Sequence, residues 1–154
     1  MSKSTVSKNK TLKLINTLIQ EVNIKKEQDI STIVLKMENY IKAKGALPIG
    51  PAIQKTTFNI NNDGKLDLHM YIIRQANKFI NNAESPYKME SVLRIPNCMY
   101  VRYSGPEDKL TYAYDKINIT AFEEDIELSK DTYTVFVAKE DDNIIADVFV
   151  EIVH

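Results

Sequence analysis

The chain has 154 residues, of which 44% are hydrophobic and 27% charged, and a formal net charge of −1. That apolar content suffices for a packed core and excludes a disordered chain. No apolar run approaches the roughly 20 residues of a membrane-spanning helix, and a single cysteine, Cys98, excludes both a disulfide framework and a thiolate metal cluster. A soluble protein of a reducing cytoplasm fits these features.

Met1–Lys10 is polar and basic with no apolar stretch, and reads as a flexible leader, not a secretory signal. Thr11–Val22 is rich in Leu, Ile and Thr and predicts a strand. Asp29 can cap a helix by accepting a backbone N–H bond. Ile30, Val34, Met37 and Ile41 then recur at helical spacing, with Ile33 beside them. Gly45 is the expected left-handed stop, and the segment Ala46–Pro51 cannot stay helical. Ala52–Ile60 predicts a second strand, Asn61–Gly64 a hairpin turn, and Lys65–Arg74 the returning strand. On that strand Leu66, Leu68, Met70 and Ile72 share one face, while Asp67, His69, Tyr71 and Ile73 share the other.

The order then repeats. Met89–Tyr103 predicts a strand with a bend or an edge position at Pro96, which cannot donate a ladder hydrogen bond. Ser104–Glu107 has capping-box spacing, ahead of a helix with Leu110, Tyr114, Ile117 and Ala121 on one side. Asp131–Lys139, the turn Glu140–Asn143 and Ile144–Val153 complete the unit. On the last strand Ala146, Val148 and Val150 face one way, and Ile145, Asp147, Phe149 and Glu151 the other. Such self-similarity decides the architecture. The expected fold is α+β: tandem strand–helix–strand–strand units forming an antiparallel sheet, with two helices on one side and a groove between the repeats. One domain spans 11–154, with repeats at about 11–74 and 89–153 joined by a linker at 75–88.

Charge is unevenly distributed. Residues 104–154 carry thirteen acidic residues against four lysines, a net of −9, which leaves the remainder near +8. No helix-turn-helix segment or zinc-finger spacing accompanies the basic residues, so direct nucleic-acid binding is not expected. His69 and the terminal His154 are the two histidines, so no metal site and no cofactor are expected. No nucleophile elbow or phosphate-cradling glycine loop is present, and the reading is of a protein without catalysis. Hydrolysis is the enzyme class that would remain.

The run YVRYSGPEDKLTYAYDKI, followed by DTYTVFVAKEDDN and IIADVFVEIV, resembles the gyrase-inhibitor-like or effector-binding domain family, which also occurs at the end of multidrug-responsive transcription activators. Gly105-Pro106 and the strand endings carry the likeness, and the segment GALPIGP is similar to the helix exit in such copies. The resemblance implies an amphipathic, often cationic, small-molecule ligand held in the groove between repeats. In the family a glutamate on the strand after the second helix meets the cation. Here that strand offers Tyr133, Thr134, Val135 and Phe136, and no acid. Asp147 occupies the other commonly acidic position, on the last strand, and His69 is its counterpart in the first unit. The expected ligand-binding residues are therefore His69, Tyr71, Tyr100, Phe136, Asp147 and Phe149. The chain also resembles an uncharacterised branch of the superfamily in low-GC Gram-positive bacteria, found near genes for type VII-secreted toxins. That resemblance implies an alternative role as a protein-interaction adaptor or chaperone for a secreted toxin. Strand faces without a helix should be polar in a monomer. Here they carry Tyr71, Ile73, Ile145 and Phe149, so a ligand, a partner protein or a second subunit in a homodimer is expected to cover them.

Overall fold

A computed structural model describes residues 5–26 and 29–154. The fold is α+β, with six strands and two helices among the described residues: β1 (Ser7–Val22), α1 (Ile30–Ala43), β2 (Pro48–Ile60), β3 (Leu66–Ala76), β4 (Tyr87–Pro106), α2 (Thr111–Glu123), β5 (Leu128–Glu140) and β6 (Asn143–Ile152). The predicted leader lies outside the described residues at 1–4. From Ser7 it is strand, because β1 starts four residues earlier than the sequence pattern suggests.

The close contacts divide the described residues into two compact units, one within 13–94 and one of residues 5–12 and 95–154. The boundaries fall inside the long strands β1 and β4, not at the 75–88 segment. Residues 75–94 therefore belong with the first repeat, and the start of β1 with the second.

In the unit 13–94, β3 is the central strand. It pairs antiparallel with β1, Ile19 opposite Ile73, and with β2, Ile53 opposite Ile73. The even-numbered face of β3 meets α1: Leu18, Val22, Ile72 and Ala76 cluster with Ile33, Met37 and Ile41. Helix α1 begins where expected. Asp29 Oδ1 accepts from the Ser31 amide at 3.0 Å, and Asp29 Oδ2 accepts from the Thr32 hydroxyl at 3.1 Å. It ends in a Schellman arrangement, with Ala46 N–H donating to Ile41 C=O at 3.1 Å and Gly45 N–H to Lys42 C=O at 3.0 Å. Gly45 sits at φ 80°, where only glycine escapes a Cβ penalty.

The unit of 95–154 repeats the plan. β6 is central, with β4 on one side and β5 on the other. Met99, Val101, Val148 and Val150 pack on Ala113, Ile117 and Ala121 of α2. α2 ends in the same bond pattern, Ile126 N–H to Ala121 C=O at 2.8 Å, but with Asp125 at φ 60° where α1 has glycine. Both repeats also interrupt the register at matching places, between Ile49 and Ile53 in β2 and between Leu128 and Thr132 in β5.

One local expectation is corrected. The capping box at Ser104 does not form. β4 continues through Pro106, a short 3-10 turn spans Glu107–Lys109, and the residue before α2, Leu110, offers no side-chain cap. The bend near Pro96 is taken by Asn97 at φ 52°, and pairing with β6 starts only at Cys98.

Candidate functional site

Side-chain alternation assigns each candidate residue to a face. On β6 the residues Asp147 and Phe149 point away from α2, because Ala146, Val148 and Val150 point toward it. The register then sets their neighbours. Phe149 lies between Tyr100 of β4 and Tyr133 of β5, and Asp147 lies between Arg102 and Val135. An aromatic row and a polar row thus adjoin on one sheet face.

The polar row is tightly organised. Arg102 donates to Asp147 through Nε to Oδ1 at 2.8 Å and through Nη2 to Oδ2 at 3.0 Å. This is the two-pronged geometry that planar guanidinium and carboxylate groups favour. The Tyr100 hydroxyl donates to the same Oδ1 at 2.8 Å. Both carboxylate oxygens therefore accept hydrogen bonds, Oδ1 two and Oδ2 one. The carboxylate is the buried member of the pair, with 13% side-chain exposure against 55% for Arg102. Burial and then the bond to Asp147 raise the Tyr100 phenol above its ordinary value, and Asp147 raises the Arg102 guanidinium further. The rings of Tyr100 and Phe149 lie 4.9 Å apart at 45°, a tilted contact within the favourable range for aromatic pairs.

Phe136 is not part of this face. It stands opposite Ala146 and packs on the α2 cluster. Tyr133, which is buried, takes the aromatic position on β5 instead. The reason is parity: one residue along a strand changes the face. Arg102 was legible as Asp147's partner only once the β4–β6 register was known.

In the unit 13–94, His69 and Tyr71 lie on the face of β3 away from α1, with Glu21 and Lys55 opposite Tyr71. His69 Nδ1 is 3.0 Å from Glu21 Oε2, and Nε2 is 3.2 Å from Asp67 Oδ2. A neutral imidazole can donate only one of these bonds, whereas the imidazolium donates both. Hydrogen bonding to Glu21 first, and to Asp67 second, accordingly raises the His69 pKa above its usual 6.5. The Lys55 ammonium sits 5.4 Å from the centre of the Tyr71 ring. On the same face Ile53 and Ile73 are fully buried.

The raised His69 value makes a pH prediction. The imidazolium's contribution is complete below about pH 6.5 and is lost as pH rises through the higher folded-state value. An NMR titration of the His69 ring is expected to show a midpoint above 6.5, and Glu21→Gln should move it down. A wild-type midpoint at or below 6.5 would contradict the double contact.

Elsewhere, an open cavity of about 680 Å³ is lined by Val22, Asn23, Ile24, Lys25, Lys26, Ile30 and Met70, at the entrance to α1. None of the candidate residues borders it. Cys98 is buried, and desolvation pushes its thiol up to about 11, so it is a thiol and not a nucleophile at neutral pH. Among the described residues no group of three or more His, Cys, Asp and Glu side chains is placed to hold a metal ion, and no helix is long and apolar enough to cross a membrane.

No protein-family model and no curated protein matches this chain. Solved structures do. The crystal structure of the EcmrR C-terminal domain superposes with a TM-score of 0.64 at 15% identity, covering 97% of this chain and 96% of that one. The EcmrR chain in its cryo-EM complex with DNA gives the same score and identity, and the present chain spans 57% of its length. A hydrolase from Listeria innocua gives a TM-score of 0.57 at 10% identity, covering 97% and 91% of the two chains. The polypeptide has the fold of the EcmrR C-terminal domain.

Proposed function

We propose that this protein is a small-molecule-binding module that takes an amphipathic ligand on the sheet faces turned away from its helices. The observation that carries the reading is the face of β4, β6 and β5 in the unit 95–154. There the tilted pair of Tyr100 and Phe149 adjoins a carboxylate already fixed by three hydrogen bonds. Apolar surface with a few convergent, oriented polar groups is the usual composition of a ligand site. His69 and Tyr71 form a similar aromatic and polar pair in the other unit, and belong to the same proposal. The effector-binding resemblance and the shared EcmrR fold support it. The module acts without cofactor, metal or catalysis of its own, in the cytoplasm, and needs no direct contact with nucleic acid or membrane.

The test is binding by a panel of hydrophobic dyes and drugs, followed by tyrosine fluorescence, since the chain has no tryptophan. Tyr100→Ala combined with Phe149→Ala is expected to weaken binding at least about tenfold, each ring contact contributing roughly 1 kcal/mol beyond its buried area. Unaltered affinity in a folded double variant would remove the site.

A second reading, an adaptor for a secreted toxin or a homodimer, has one feature in its favour. α2 exposes Tyr112, Ile119 and Phe122, the last at 87%, on the side away from its buried residues. Sedimentation of the purified protein and co-purification from its host, compared with Phe122→Ser, separate this reading from the first. The variant should change association without changing dye binding.

A further inference from the structure

We infer that the face bearing Tyr100 and Phe149 selects ligands carrying an anionic head group, a carboxylate above all, and that Arg102 is the residue that reads it. The inference rests on the small-molecule reading and specifies the chemistry of its ligand.

A lone carboxylate beside two aromatic rings would select a cation. Asp147 is not alone. Its Oδ1 accepts from both Tyr100 and Arg102, and its Oδ2 accepts from Arg102. A cationic ligand reaching Asp147 would meet a carboxylate whose charge Arg102 already neutralises and whose acceptor sites are filled but for one on Oδ2. The exposures point the same way, since the guanidinium of the pair is the group that solvent, and therefore a ligand, meets first. The fork uses only the edge of the guanidinium formed by Nε and Nη2. A guanidinium carries five N–H donors, and the fork engages two of them, which leaves donors that an oxyanion can use. It is also held in place, because Asp147 fixes its orientation and Tyr100 fixes Asp147. Less side-chain freedom then remains to be lost on binding.

Although residues 104–154 are acidic overall, the positions that adjoin Asp147 on this face and those opposite Phe149 carry no second acid. On this face the positions beside the polar row are Ser104, Ile145 and Val135, and those beside Phe149 are Tyr100 and Tyr133. The next acid along β6 is Glu151, opposite Cys98. It is four residues from Asp147, about 13 Å along the strand. A planar aromatic acid can therefore lay its ring against Tyr100 and Phe149 while its carboxylate meets the Arg102 N–H groups that the fork does not use.

The experiment uses one ring with three heads: naphthalene-2-carboxylate, its primary amide, and naphthalen-2-ylmethylammonium. Each is titrated into the full chain by calorimetry at low salt, with the contacts located by NMR shifts of β4 and β6 amides. The carboxylate is expected to bind about tenfold tighter than the amide, as one charge-assisted hydrogen-bond pair predicts, with the ammonium weakest. Arg102→Met should abolish this order and raise the affinity of the ammonium, because Asp147 is then freed. If the ammonium binds the wild type most tightly, the inference is overturned and the small-molecule reading stands. If the carboxylate preference survives Arg102→Met, the anion is read elsewhere and the inference is likewise overturned. If no head group binds, both the inference and the small-molecule reading fail. Should Arg102→Met not fold, the order of the three heads on the wild type decides alone.

Discussion

Replacing Glu38 by alanine is expected to lower the unfolding free energy by about 2–3 kcal/mol. Arg74 stands on the helix-facing side of β3 with only 6% of its side chain exposed, and its Nη2 meets Glu38 Oε2 of α1 at 3.0 Å. Nη1 donates to the Gly50 carbonyl, at the register shift of β2. Nε has no hydrogen-bond partner, which makes the site poorly tolerant of further loss. Removing Glu38 leaves a buried, uncompensated cation, and breaking such pairs typically costs about 3–5 kcal/mol. Glu38 itself keeps 29% exposure, so water compensates in part and the cost falls at or just below the bottom of that range. For a chain of this size that corresponds to a fall in Tm of about 5–10 °C. Urea unfolding followed by circular dichroism is the measurement. A loss under about 0.5 kcal/mol would show that the ion pair is not a structural tie. The double variant Arg74→Met with Glu38→Leu should recover most of the loss, because apolar replacements of similar volume avoid the desolvation cost altogether.

The second large effect lies on α2 and is a contrast within one helix. Ile117 is 1% exposed, at the centre of the cluster formed with Val101, Val148 and Ala121. Ile117→Ala should destabilise by about 3 kcal/mol, through lost transfer free energy and the cavity left behind. Phe122, five residues on, is 87% exposed, and Phe122→Ala should change stability by less than about 0.5 kcal/mol. Equal effects at the two positions would mean that the outer stripe of α2 is covered in solution. That result would favour the dimer or adaptor reading over an uncovered helix.

Most local structure was legible from the residues. Asp29 and Gly45 bounded α1 because a short carboxylate satisfies orphan amides and glycine accepts a positive φ. The Asn61–Gly64 turn was equally clear, and Asn61 Oδ1 does accept from the amides of Asp63 and Lys65, each at 3.0 Å. The end of α2 carried no such mark, because Asp125 adopts the left-handed conformation that glycine takes in α1. The start of α2 was marked misleadingly: Ser104 and Glu107 have capping spacing, but strand pairing with β6 reaches Pro106 and keeps Ser104 extended.

The repeated strand–helix–strand–strand order, the two faces of β3 and β6, and the assignment of Asp147 with Phe149 and His69 with Tyr71 to faces without a helix could all be read from the order of residues. These follow from periods of 3.6 and 2, which are properties of single segments. What those residues meet depends on the assembled fold. That Arg102 and not a ligand cation neutralises Asp147, that Glu21 and Asp67 bracket His69, that Tyr133 and not Phe136 stands beside Phe149, and that Arg74 is buried against Glu38 all depend on register and on helix placement. Register is fixed by bulges and by the summed burial of many side chains across strands distant in sequence. A one-residue shift there exchanges every partner while leaving each strand's own pattern unchanged.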